Sequence, residues 1–332
     1  MSRLRLLFDN FTLILIAVVA AASLLPAHGQ GAFIFEWITR LAIALLFFLH
    51  GAKLSRAAII AGATHWRLHL LVFACTFILF PIAGWALKPV LAPLLGAPLY
   101  IGMLYLCVLP GTVQSAIAFT SIARGNVPAA VCSASASSLI GIVLTPLLLH
   151  MLVPTGGSTA PAGDAIVDIS VQLLLPFLAG HFLRPRIGNW VDRNRPWLVK
   201  VDQASILLVV YTAFSASVIN GLWRAVPPHA LLVLALTCCV LLGMALCATT
   251  WLARRLGFGM EDEITIVFCG SKKSMATGVP LAQALFSGSA IGPALLPLMI
   301  FHQIQLMVCA VLAQRYARRR QASFAGGQAC VR

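Results

Sequence analysis

Charge is scarce in this chain. Charged residues make up 10% of its 332 positions, and only nine are acidic. Soluble domains carry about 25%, so an ordinary soluble enzyme or binding module is excluded. The nine cysteines contain no CxxC pair, which indicates neither a zinc site nor a disulfide framework. Most of them lie in apolar runs, as small filler. No HExxH, GxSxG or Walker sequence occurs, so no enzyme chemistry is indicated. The short alternating segments of a membrane β-barrel are missing too.

What the chain has is long apolar runs. Hydrophobic residues make up 60%, in stretches such as "LLVLALTCCVLLGMALCATTWLA". Only helices and closed barrels satisfy their backbone in lipid, so the reading is an all-α polytopic membrane protein. Spans of about 20 apolar residues are expected near 10–25, 33–50, 68–87, 97–122, 127–151, 166–183, 203–221, 229–253, 263–286 and 291–314. The N-terminus resembles a signal peptide, but an uncleaved first span suits this count. Residues 1–320 form one membrane domain and 321–332 a basic tail.

The net charge of +14 would suggest nucleic acid in a soluble protein. Here the basic residues fall between apolar runs, as in cytoplasmic loops, and no nucleic acid partner is expected. Arg3 and Arg5, Lys53, Arg56 and Arg67, Arg124, Arg184 to Lys200, Arg254 and Arg255, and Arg315 to Arg320 alternate with loops that hold only Lys88 and Arg224. Both termini are then cytoplasmic, in the cell inner membrane, and the span count is even.

Ten spans divide into two fives, so the second half (about 160–318) enters the bilayer inverted relative to the first (about 5–155). The fourth span of each half carries a related stretch, "GTVQS" at Gly111 and "GSKKS" at Gly270. Pro110, Gly111 and Gly270 are expected to break these spans, and interrupted spans at matching places mark a transporter's binding site. The polar residues beside the breaks, Thr112, Gln114, Ser115, Ser271, Lys272, Lys273 and Ser274, are the candidate substrate and ion ligands. His302 and Gln305, three apart in the last span, are further candidates; a histidine bonded to a backbone carbonyl is the alternative. Lys272 and Lys273 lie about 15 Å into their span, where an isolated charge is costly. A wet cavity explains them; a span shifted to put them at its cytoplasmic end is the alternative. Glu36 and Arg40, four apart, read as a pair along one helix. Ser133, Ser135, Ser137 and Ser138 read as small helix-contact residues or cavity lining.

The stretches "LPGTVQSAIAFTSIARGNVPAAV" and "FCGSKKSMATGVPLAQALF" resemble the bile acid:sodium symporter family, in its bacterial SBF-like branch, over residues 5–318. Gly111, Thr112, Ala123, Gly125 and Asn126 match that family's pattern. The resemblance implies ten helices, with broken helices 4 and 9 crossing at the substrate site. It also implies sodium coupling, yet the family's Ser-Asn falls on Gln114 and Ser115. Its sodium-site glutamate falls on Phe268, and its Gln-Asn on Lys272 and Lys273. The acidic residues are all read at span ends or in loops.

The expectation is a secondary active transporter of a small organic anion in the lipid bilayer. The two lysines would supply a cationic pocket and stand in for the coupling cation. No resident cofactor or metal is expected; sodium and the proton are the candidate coupling ions, and transport without one is left open. The alternatives are a sodium symporter with a site rebuilt from carbonyls and hydroxyls, and a non-transporting membrane regulator. In the expected topology a cysteine introduced at Gly157 is labelled by an impermeant maleimide from outside intact cells. Protection there, with labelling only after permeabilisation, would overturn the span count.

Overall fold

The computed structural model of the chain describes residues 10–53, 65–153, 162–286 and 290–329. Arg3, Arg5, Arg56 and Gly157 lie outside these residues. Every regular element among the described residues is helical. In order they are α1 (Asn10–Leu24), α2 (Gly29–Lys53), α3 (Trp66–Ala86), α4 (Lys88–Val108), α5 (Gln114–Ile122), α6 (Val127–Leu152) and α7 (Ala162–Arg193). They continue with α8 (Arg195–Ile219), the single turn α9 (Leu222–Ala225), α10 (Pro228–Arg255), α11 (Met260–Gly270), α12 (Met275–Leu285) and α13 (Ile291–Ala329).

Among the described residues, seven helices are long and apolar enough to cross a membrane: α2, α3, α4, α6, α8, α10 and the Ile291–Arg318 part of α13. A polytopic membrane protein follows. Its outer surface is apolar, with Leu41, Leu70, Ile82, Leu232 and Leu236 all exposed. In water such a surface would be an aggregation liability; against lipid tails it costs nothing. Trp37, Trp85, Trp190, Trp197 and Trp251 are exposed as well, the residue type that favours the headgroup level.

Several helix ends differ from the sequence reading, among them the end of α7, at Arg193 rather than near 183. α2 continues through His50 to Lys53, and α8 begins at Arg195 rather than near 203. α13 runs on to Ala329, past residue 320 where the membrane domain was expected to end. α4 starts at Lys88 and bends at Gly96, whose φ of 75° only glycine adopts readily.

Local chemistry sets the remaining boundaries. Asn126 caps α6 by accepting from Ala129 N at 3.1 Å, with Pro128 in the first turn. Its side chain also donates to Asp262 at 2.9 Å and its N–H to Glu261 O at 3.1 Å, which ties the start of α6 to the start of α11. Arg254 meets Glu263 with two bonds of 2.9 and 3.0 Å, and Tyr316 donates to the same carboxylate at 3.0 Å. That network joins α10, α11 and α13 at one end. Glu36 and Arg40 form the expected exposed pair on α2, at 2.7 Å.

The α2–α7 crossing depends on two glycines. A Cβ on Gly51 would run into the Phe177 carbonyl, and one on Gly180 into the Phe48 carbonyl. Close backbone approach through small residues is how membrane helices gain packing energy without a hydrophobic drive. Gly51→Ala or Gly180→Ala is expected to cost about 1–3 kcal/mol by overpacking, read as a lower melting temperature in detergent. Gly188→Ala on the same helix, where a Cβ meets only ordinary contacts, is expected to melt like the wild type.

Candidate functional site

Two helices stop inside the bundle. α4 ends at Val108 and α5 begins at Gln114; α11 ends at Gly270 and α12 begins at Met275. Pro110 ends the first run because it lacks an N–H. The two interruptions touch: Ser274 N donates to Pro110 O at 2.9 Å. A Cβ on Gly111 would sit 3.0 Å from the Cys269 carbonyl oxygen, so glycine there lets the broken segments approach. Gly111 N donates to Ser137 Oγ at 3.1 Å, and Thr145 Oγ1 donates to Val108 O at 3.0 Å.

A helix end leaves carbonyls without partners, and away from water each must be satisfied. Lys273 does most of this. Its ammonium donates to Cys107 O at 2.7 Å, Leu109 O at 2.8 Å and Thr76 O at 2.8 Å. The third oxygen is free for a local reason. Residues Cys75–Leu79 of α3 form a π turn, so Phe80 N bonds Cys75 O and not Thr76 O. The next N–H in a wider helix would come from position 81, which is proline. The Phe80 ring covers the ammonium at 4.2 Å. Gln305 holds the Lys273 backbone from both sides, accepting from its N and donating to its O, each at 2.9 Å. Gln305 Nε2 also lies 2.9 Å from His302 Nδ1.

Lys272 is equally buried but differently solvated. Its ammonium donates to Ser115 Oγ at 3.2 Å and lies 4.1 Å from the Phe119 ring centroid and 5.7 Å from that of Phe268. Thr112 and Ser115 share a hydroxyl bond of 2.8 Å. Phe268 packs against Phe119 and Tyr316, with centroids 5.9 and 6.2 Å away. Ser271 donates to Val267 O at 2.6 Å, and Ser274 caps α12 by accepting from Thr277 N at 3.1 Å. These two serines finish helix ends.

A cavity of about 170 Å³ lies beside the breaks. Thr112, Gln114, Ser115, Ser274 and His302 line it. Ser271, Lys272, Lys273 and Gln305 do not; both lysines are wholly buried behind its wall. A second cavity of about 710 Å³ adjoins the first, sharing His50, Val113 and Gln114. Lys53, Arg184 and Arg195 line it, as do Ser135 and Ser138. The positive charge of the cavities therefore comes from these three residues, which corrects the picture of a pocket lined by Lys272 and Lys273.

Asp202 is a second correction. Reading every acidic residue at span ends or in loops misplaces it: it is 2% exposed, two turns into α8, and lines the smaller cavity. It pairs with Lys53 of α2 and accepts from Gln114 Nε2 at 3.1 Å. The signal was periodicity. Leu198, Asp202, Ile206 and Val209 are buried on one helical face.

A family model for SBF-like CPA transporters matches residues 9–318. The chain belongs to this family. It is 69% identical to an uncharacterised protein of Pseudomonas aeruginosa over 96% of each chain. It is 58% identical to the protein YfeH of Escherichia coli strain K12 over 95% of each. Sodium/bile acid cotransporter 7 of Xenopus tropicalis is 29% identical, over 93% of this chain and 91% of that protein. The SBF-like chain is thus a membrane transporter and not an enzyme. Asn126 and Gly125, which match the bile acid:sodium symporter pattern, cap α6 and let Ile264 of α11 approach.

Gln305 carries the Lys273 backbone, so Gln305→Leu removes the acceptor of a buried N–H and one donor to a buried carbonyl. The expected loss is about 1–3 kcal/mol for each group, read as a lower melting temperature. Gln305→Glu, which keeps an acceptor for the N–H, is expected to lose less.

Proposed function

We propose that this SBF-like transporter is a secondary active transporter of a small organic anion in which the Lys273 ammonium takes the place of a coupling cation. The observation that carries the reading is the set of three carbonyl oxygens at 2.7–2.8 Å around Lys273 Nζ. Such an oxygen cage, at the C-terminal end of a broken helix, is what a bound cation would use. The ammonium fills it from within the chain. Phe268, where the resemblance places a sodium-site glutamate, offers no ligand. Anion selectivity is supported by Lys53, Arg184 and Arg195 around the larger cavity.

In this reading the chain forms ten spans as a five-plus-five inverted repeat. α4–α5 and α11–α12 are the broken fourth and ninth spans, meeting through Ser274 and Pro110. Lys53, Arg184 and Arg195, which line the larger cavity, belong to the basic segments that this reading puts on the cytoplasmic side together with both termini.

Two measurements test this. Wild-type protein in proteoliposomes is expected to take up anions from an organic-anion panel without sodium on either side; uptake that requires sodium overturns the reading. Lys273→Ala is expected to melt lower than the wild type and to regain part of the loss in sodium chloride against choline chloride, because sodium can enter the emptied cage. The wild type is expected to show no such difference. A variant that melts identically in both salts argues against a cation-shaped cage.

A further inference from the structure

The Lys53–Asp202 pair sits where the two cavities join, away from the lysines at the breaks. Lys53 lines the larger cavity, Asp202 the smaller, and His50, one turn before Lys53, lines both. The Asp202 side chain is 3% exposed, and the Lys53 side chain 22%. Asp202 Oδ2 holds Lys53 and Gln114. Its Oδ1 is buried with no hydrogen-bond partner among the described residues. A buried carboxylate oxygen left unpaired is costly, and nothing in a resting structural pair requires it.

We propose that Lys53 is the anion-binding residue of the cavity and that Asp202 is its displaceable counter-ion, so that an anionic substrate reaches Lys53 as Asp202 takes up one proton. The inference rests on the anion-transporter reading. The larger cavity already carries Arg184 and Arg195, but Arg184 is committed to the Ala52 carbonyl and to Asp192. Lys53 is the cation at the junction, and among the described residues Asp202 is the carboxylate that pairs with it there. When a substrate carboxylate or sulfonate takes Lys53, Asp202 would be an uncompensated buried charge. A proton removes that charge, and Oδ1 is the oxygen with room to accept it. One O–H bond forms at Asp202 and one breaks in the hydronium ion that delivers the proton, leaving water. Anion and proton then enter together, which supplies a coupling ion without a sodium site.

Among the described residues, the other ionisable groups facing Asp202 are His50 of α2 and His302 of α13, with Arg184 and Asp192 of α7 and Arg195 of α8 around the larger cavity. His50 Nδ1 lies 2.8 Å from Leu46 O, and His302 Nδ1 bonds Gln305, so each has a partner away from Asp202.

The test is binding of benzoate, glutarate and taurocholate to purified protein, with benzamide as the uncharged control, at fixed ionic strength between pH 5 and 8. Wild-type affinity for at least one anion is expected to rise as pH falls, up to about tenfold per unit for one linked proton. Asp202→Asn is expected to bind that anion about tenfold tighter at pH 8, as when a competing ion pair is removed, and to lose the pH dependence. Lys53→Gln/Asp202→Asn, neutral and close in size to the pair, is expected to lose the gain. His50→Gln and His302→Gln, whatever they do to the affinity itself, are expected to keep the direction and steepness of its pH dependence. Wild-type binding with Asp202→Asn unchanged, or with the pH dependence following either histidine, overturns the proposal alone. Benzamide binding as tightly as benzoate, or no binding of any anion to any protein, overturns the anion reading with it.

Discussion

The ammonium of Lys273 and the three carbonyls it satisfies are the interaction on which the centre of this transporter depends. A helix that stops inside a bilayer exposes carbonyls that water cannot reach. Here the exposed oxygens come from two places, the end of α4 and a π turn in α3 that ends at a proline. A lysine has three protons and meets three acceptors. The cost of burying the charge and the cost of breaking two helices offset each other. Pro110, Gly111, the π turn and Gln305 are then parts of a single arrangement, and α3, α4, α11 and α13 are held at one point.

That arrangement also explains why the two adjacent lysines differ. Successive residues leaving a helix end point to different sides. Lys273 turns to backbone oxygen, while Lys272 turns to the faces of Phe119 and Phe268, with Ser115 as its hydrogen-bond partner. One ammonium is solvated by carbonyl dipoles and the other by aromatic faces. Neither reaches the cavity, whose polar lining comes instead from Thr112, Gln114, Ser115, His302 and Asp202.

Much of the fold was legible along the chain. Apolar runs marked the helices, and Pro110 and the glycines marked the interruptions, because these are local properties of backbone and hydropathy. The errors were local as well. Ending the second span at residue 50 left Lys53 in a loop, and starting the seventh at 203 left Asp202 outside it. A charged residue at a span edge reads as a boundary, since apolar run length cannot tell an end from a buried face. Helical period does tell them apart: Asp202 keeps step with Leu198, Ile206 and Val209.

The sequence by itself determined the class of the protein: helical, membrane-embedded, with interrupted segments carrying buried lysines and no glutamate at position 268. Those features follow from composition and from residues that dictate their own backbone. The tertiary structure alone decided which oxygens the lysines meet, that Asp202 faces Lys53, and that the cavity charge comes from Lys53, Arg184 and Arg195. Thr76 and Lys273 are 197 positions apart, and Lys53 and Asp202 are 149. Pairings at that range depend on how helices pack, which no periodicity within one segment records.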